Sequence, residues 1–444
     1  MTTTTAPHPG ADARGSDLLA IGFGTTVAMW AVGYVCRFPG VHAPAWLLLG
    51  LLLLCLVAGG WATGRYTARG VVGGAQVGLL CGALNLLVLG SLLGSTEAPN
   101  RIVPSAAWWV PGSLLLGAAL GSLGASIGRR QPDPSVPLTR HGLPGFATVA
   151  AAATFLLVIA GGIVTGHEAG LAVTDWPNSY GYNMFLYPLS RMTGGIYYEH
   201  VHRLLGSLVG LTTLVLAIHL WRVEARRWMR WLGLGALVLV IVQGILGGLR
   251  VTGHFTLSDD PELVRPNLWL AVVHGVTGQL FFGLMVAIAA FSTRTWRTAG
   301  RIAAGTGDTR LAVWLLASVV GQLTLGSILR HTDAALHAHI TVAVLVVALG
   351  IALGSRLALK YREQPALHRI GHGLLHGLAI QFLLGFGALF ARNLSEPGAP
   401  HPLDVTITTV HQAVGALVLA LSVLGVLWTR RLLGGAPDSA TTPA

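Results

Sequence analysis

Charge is what this sequence has least of. Asp, Glu, Lys and Arg make up 10% of its 444 residues, against about a quarter in a soluble globular domain, which excludes an ordinary water-soluble fold. Cysteine is scarce as well. Cys36, Cys55 and Cys81 are the three present, all within the first three apolar runs, so they read as small apolar packing residues rather than disulfides or thiolate metal ligands. The long apolar runs lack period-2 alternation, which excludes a membrane β-barrel. The opening MTTTTAPHPGADARGS is polar and too weakly basic for a secretory leader.

What is present is hydrophobic sequence: 53% of residues, with a mean hydropathy of +0.66. The runs approach the roughly 20 residues a helix needs to cross a hydrocarbon core. The expected fold is all-α, a polytopic membrane protein of about twelve transmembrane helices. The spans lie near 17–38, 43–63, 71–95, 106–128, 146–166, 200–221, 231–251, 268–292, 311–330, 338–359, 373–392 and 406–428. The net charge of +11 is a topology signal and implies no nucleic-acid partner. Arginines cluster in alternate loops, for example Arg129, Arg130 and Arg140, then Arg222, Arg226, Arg227 and Arg230, then Arg294, Arg297, Arg301 and Arg310. That pattern predicts a multi-pass protein of the cell (inner or plasma) membrane, surrounded by lipid, with both termini in the cytoplasm.

A proline-rich stretch, QPDPSVPLTRHGLPG, suits a boundary near residue 141. Residues 1–141 form a four-span extension with few ionisable groups and no ligand-like histidine pair, so it is expected to have no redox role. Residues 142–298 and 299–444 read as two copies of a four-helix unit. His202 and His274 are 72 residues apart, as are His339 and His411, and the two pairs are offset by 137. Gln243, opening QGILGGLR, and Gln381, opening QFLLGFGALFAR, are offset by 138. GGLRVTG at 247–253 likewise resembles GSILRHT at 326–332. An internal duplication accounts for these matches.

By topology all four histidines fall at one depth, near the outer face. In each unit two parallel helices can oppose their imidazoles in an apolar interior, the arrangement a six-coordinate haem iron needs. Zinc fits less well, because no Cys or carboxylate other than Glu199 stands near to complete a tetrahedral set. A single membrane histidine is as often only hydrogen-bonded to a neighbouring helix; four at matched positions favour ligation. The remaining histidines, among them His167, His200, His219, His331 and His401, are expected at helix ends or in solvent. His337 competes with His339, but the repeat aligns Glu199-His200-Val201-His202 with Leu336-His337-Ala338-His339, which favours His339.

Glu199 lies one turn before His202 on the same face, with Leu336 at the equivalent place in the second copy. A carboxylate at the mouth of an apolar cavity suits proton transfer; a helix cap at the interface is the plainer reading. Arg203, Arg250, Arg330 and Arg392 depart from the positive-inside bias. They are candidates for pairing with haem propionates, with interfacial snorkelling as the alternative.

Thr174-Asp175-Trp176-Pro177 followed by Glu199-His200-Val201-His202-Arg203 resembles the TDWP and ExxHR signatures of haem A synthases, over roughly residues 145–430. The resemblance implies oxidation of the C8 methyl of haem O toward the formyl group of haem A, for terminal oxidase assembly. By the same resemblance His202 and His274 flank the substrate haem O in the first copy. His339 and His411 ligate a resident haem b in the second. Glu199 is the essential acid, and Asp175 and Trp176 shape the substrate entrance. Haem O synthase and terminal oxidase assembly factors are the implied partners. The chain departs from the family in lacking an outer-loop cysteine pair and in reading GGIVTGHEAGLAVTDWP where members often show GxxVRxTGSGLSMTDWP.

Two other readings compete: a dihaem b-type cytochrome that transfers electrons without modifying haem, and a transporter or scaffold without haem. Glu199 and the TDWP loop favour the enzyme. If His339 and His411 are ligands, His411→Ala abolishes a low-spin b-type spectrum in the purified protein, and His337→Ala is milder than His339→Ala. A normal spectrum in His411→Ala removes that residue from the ligand set.

Overall fold

The computed structural model describes residues 13–41, 43–95, 98–129, 142–252, 265–396 and 398–434. Most of the proline-rich stretch (131–141) lies outside the described residues. The helices are α1 (Ala13–Cys36), α2 (Ala45–Tyr66), α3 (Gly70–Leu93), α4 (Ala106–Ile127), α5 (Gly142–Gly166), α6 (Gly194–Val223), α7 (Arg227–Thr252), α8 (Arg265–Ser292), the short α9 (Arg294–Thr298), α10 (Gly307–Thr332), α11 (Leu336–Lys360), α12 (Pro365–Ala391) and α13 (Pro402–Leu432). Among the described residues twelve helices are long and apolar enough to cross a membrane, so the chain is an all-α, polytopic membrane protein.

The main departures from the expected spans are at helix starts. α6 begins at Gly194 and α12 at Pro365, each several residues before the apolar run. The added turns carry Tyr197, Tyr198 and Glu199 in α6 and His368, Arg369 and His372 in α12. Such residues lower hydropathy without interrupting the backbone ladder, and Pro365 in the first turn lacks only an N–H that would be unpaired there.

The chain forms two compact units, Met1–Leu156 with Ala172–Val238, and Leu157–Leu171 with Leu239–Ala444. In the first, α2, α3 and α4 touch backbone to backbone. A Cβ on Gly78 would collide with the carbonyl of Gly117, and one on Gly60 with that of Gly121. These are the small residues at four-residue spacing that let membrane helices approach closely. α1 joins them through the Cys81 thiol, which donates to the Gly22 carbonyl (3.3 Å), and through Trp30, whose indole donates to Asn85 (3.0 Å). All three cysteines are free. His219, expected in a solvated or helix-end place, is buried and hydrogen-bonded to Ser16 (2.5 Å). Ser16, 203 residues earlier in the sequence, supplies the partner that a buried polar ring requires.

In the second unit α10 to α13 enclose a core of Leu315, Leu353, Leu357, Leu374 and Leu419. At one end the buried Asp308 carboxylate accepts from Arg356, from the Tyr361 hydroxyl (2.7 Å) and from Lys360 (3.4 Å). A buried carboxylate persists because several donors surround it.

Gly78→Leu tests the backbone contact in the first unit. Overpacking costs about 1–3 kcal/mol or more, so the variant should show a lower Tm in detergent, whereas Gly112→Leu, at a position with open space, should not.

Candidate functional site

Three of the four histidines singled out above share one local construction. α11 presents His339 against α10, where its Cε1 would lie 3.0 Å from a Cβ on Gly326. α13 presents His411 against α12 (3.4 Å at Gly385), and α8 presents His274 against α7 (3.4 Å at Gly247). Each glycine follows a glutamine by four residues: Gln322, Gln381 and Gln243. The Gln322 amide nitrogen is 3.1 and 3.2 Å from the two His339 ring nitrogens, and that of Gln381 is 3.3 Å from His411 Nε2. One turn of helix therefore offers a ring-sized gap and an amide beside it. The sequence signal is Gln-x-x-x-Gly on three helices. Gln243 and Gln381 mark the repeat, but Gln322 was missed because it stands at a different distance from its histidine.

His339 and His411 face each other with ring centroids 6.4 Å apart and planes at 67°. His337 is exposed. Metal–imidazole bonds of about 2 Å each, added to the ring radii, span roughly this gap. His411 Nδ1 is buried without a hydrogen-bond partner, as are the Gln322 and Gln381 side-chain oxygens. An unpaired buried polar atom costs about 1–3 kcal/mol, which an axial bond would relieve for the imidazole. Among the described residues no group of three or more His, Cys, Asp or Glu could hold a metal ion. Opposed pairs suit an iron whose other four ligands belong to a porphyrin. The donor set thus fits a bis-histidine haem.

His339 owes its position to a three-residue link. Asp333 (φ 56°) and Ala335 (φ 69°) adopt left-handed backbone, and the Ala335 carbonyl accepts from the His339 amide (2.8 Å). Arg392 forms an ion pair with Asp333 and so pins this turn. Arg330 is half-buried, with Asp404, Arg392, Glu168 and Asp333 as its charged neighbours. Arg250 lies against the Gly170 backbone and is a charged neighbour of both His274 and His331.

In the other unit α6 carries Glu199, His200, His202 and Arg203. Glu199 and Arg203 are a buried ion pair, Arg203 Nε donating to Glu199 Oε1 at 3.0 Å with both side chains under 10% exposed. Arg203 also donates to the carbonyls of Val173 (2.7 Å), Asp175 (2.7 Å) and Asn178 (3.0 Å). Four of its five N–H groups are thus used within the protein. The Asp175 carboxylate accepts from the amides of Tyr180 (2.7 Å) and Gly181 (2.9 Å). These two residues have positive φ, 51° and 77°, forming the tight turn of a hairpin between β1 (Asn178–Ser179) and β2 (Tyr182–Asn183). Trp176 is exposed.

His200 corrects the expectation of a solvated side chain: it is 0% exposed. Ser179 Oγ lies 3.1 Å from its Nδ1, and the Tyr187 ring covers it at 5.0 Å. Burial pushes the Tyr187 phenol above its ordinary value, so the cover is neutral. The TDWP loop folds back on α6, and that tertiary contact has no trace in local hydropathy. His202 is half-buried on α6, and His274 belongs to the other unit.

Residues 144–341 match the COX15-CtaA family model, described as cytochrome oxidase assembly protein. A protein of Beijerinckia indica subsp. indica named "Heme A synthase" is 25% identical over 310 residues, covering 63% of this chain and 74% of its own length. Another so named, from Methylobacterium sp. (strain 4-46), is 28% identical over 256 residues, 55% of this chain and 67% of that protein. A third, from Lysinibacillus sphaericus, is 31% identical over 121 residues, 26% of this chain and 38% of that protein.

Gly326→Val puts a branched side chain where His339 rests. If His339 is a haem ligand, disturbing its surroundings should lower metal affinity by about 10–100-fold, and the purified variant should carry several-fold less haem. Gly321→Val on the same helix, where space is open, should retain it. Equal haem in both would dissociate the glycine from ligation.

Proposed function

We propose that this chain, which matches the COX15-CtaA family model over residues 144–341 and is similar to proteins named "Heme A synthase", belongs to that family and is itself a haem A synthase: a membrane oxidoreductase that converts the C8 methyl of haem O toward the formyl group of haem A. The observation that carries this reading is the Glu199–Arg203 ion pair. It ties the ExxHR stretch of α6 to the backbone of the TDWP loop, so both signatures belong to one construction.

In this reading His339 and His411 hold a resident haem b, which supplies one-electron redox chemistry when bound. Gln322 and Gln381 orient the two rings. Arg250 and Arg330 supply positive charge for propionates, and Arg392 acts indirectly, through the Asp333 turn. The sequence resemblance assigns His202 and His274 to the substrate haem O, and the two lie in different units of the fold.

Glu199 is the proton acceptor. Taking a methyl group to a formyl group with water as the oxygen source (R–CH3 + H2O → R–CHO + 4 H+ + 4 e−) passes the electrons to an external acceptor and releases protons, which a fixed carboxylate can take up and hand on one at a time. Arg203 Nε holds Glu199 Oε1 in place, so the acceptor does not have to be ordered for each turnover. The Asp175 hairpin is held on the same stretch of α6 by Arg203. The equivalent place in the second copy is Leu336, which suits a half that holds its haem without processing it. Haem O delivery and haem A removal imply contact with other haem-handling membrane proteins.

Glu199→Gln keeps size and an oxygen that can still accept from Arg203, while removing the titratable group. Proton transfer by a positioned side chain is worth about 100- to 10,000-fold. The variant should therefore retain a resident-haem spectrum and lose conversion of haem O by a factor in that range, read by extraction and chromatography of the haems. Wild-type conversion would leave Glu199 as only a partner of Arg203.

A further inference from the structure

The four-helix extension makes specific contacts with the loop that carries Asp175. Asn100, in the link between α3 and α4, has left-handed backbone (φ 62°). Its side-chain oxygen accepts from the Asn183 amide (2.5 Å), and its side-chain nitrogen donates to the Gly181 carbonyl (3.4 Å). The Asp175 carboxylate holds the Gly181 amide. One turn residue is therefore gripped on its N–H by the TDWP motif and on its carbonyl by the extension.

Two further contacts act on the same segment. Gly90 of α3 and Gly94 just after it lie against the carbonyls of Phe185 and Leu186, and a Cβ at either glycine would collide with them. At the start of α6 the Tyr197 hydroxyl donates to the Tyr34 carbonyl of α1 (2.6 Å), with the two rings stacked at 5.8 Å. Phe38 packs on Tyr198 at 5.3 Å. Tyr197 and Tyr198 immediately precede Glu199.

We propose that residues 1–141 are a positioning element, in which Asn100 and Tyr34 fix the hairpin and the start of α6 so that Asp175, Arg203 and Glu199 keep one geometry. The contacts run without a break from Asn100 to Gly181, to Asp175, to Arg203 and to Glu199. The extension needs no ligand or acid of its own for this. Its glycine-packed helices provide a stiff base, and Asn100 belongs to the link between two of them. Asn suits the place twice over, since it tolerates left-handed backbone and offers both an acceptor and a donor. The part concerning haem O rests on the function proposed above; the mechanical part does not.

The test uses the full chain with Asn100→Ala, Asn100→Asp and Tyr197→Phe. Asn100→Asp keeps the acceptor for the Asn183 amide and the backbone preference. Tyr197→Phe keeps the ring stack and removes one hydrogen bond, so at least one variant should fold normally. Hydrogen exchange of the 178–187 amides should quicken several-fold to about tenfold in Asn100→Ala, as for loss of one or two hydrogen bonds, and recover largely in Asn100→Asp. The resident-haem spectrum should stay unchanged. KM for haem O should rise several-fold in Asn100→Ala and be partly rescued in Asn100→Asp, with a smaller rise in Tyr197→Phe.

Unchanged exchange in Asn100→Ala would overturn the grip itself. Faster exchange with unchanged KM and kcat would overturn its role in positioning the site. If the wild-type protein does not convert haem O, the proposed function fails, and exchange alone then decides whether the extension holds the hairpin.

Discussion

Arg203 carries a permanent charge inside a helix bundle, and such a charge persists only when its donors are met. Here they are met by one carboxylate and three loop carbonyls. Glu199 is neutralised in the same act, and residues 173–178 are folded onto α6. Neither charged residue could be buried alone without a penalty of several kcal/mol. The hairpin, in turn, has little apolar core of its own. Asp175 closes its turn, and Tyr187 lies over His200. The guanidinium is thus the point on which the acid, the loop and the start of α6 all depend.

The second unit solves a different problem by different means. It must hold imidazole rings at fixed places without filling the space between them. Glycine on the adjacent helix leaves room for the ring, and glutamine one turn earlier offers a polar group to its edge. The cost is a set of buried polar atoms without partners, including His411 Nδ1 and the oxygens of Gln322 and Gln381. A native interior rarely leaves such atoms unmet. Three of them stand around the facing pair of His339 and His411.

Most of the fold was legible in the sequence because hydrophobic length reports membrane helices directly. Twelve spans were expected, and twelve suitable helices occur among the described residues. Helix starts were less legible, since Tyr197 and His368 lower hydropathy without ending a helix. Residues of the candidate site were legible where the repeat marked them, as with His339 facing His411, whereas the pairing of Glu199 with Arg203 came only with the structure. What could not be read was tertiary. The burial of His200 depends on Ser179 and Tyr187 of the preceding loop, and that of His219 on Ser16. The bond between Asn100 and Asn183 joins segments that share no pattern. Arg203, grouped by sequence with three other arginines, has most of its hydrogen-bonding capacity committed to the loop.

The link between α10 and α11 is only three residues long, and two of them stand in left-handed backbone. His339 follows four residues after Ala335, in the first turn of α11. An α-helix advances about 100° per residue, so inserting or deleting one residue within that first turn, between Leu336 and His339, would swing the imidazole away from His411 by more than a quarter circle. A change of length in the hairpin loop between α5 and α6 would act differently, parting side chains from their partners without rotating a helix, because Arg203 and Asp175 hold that loop at fixed points along its course.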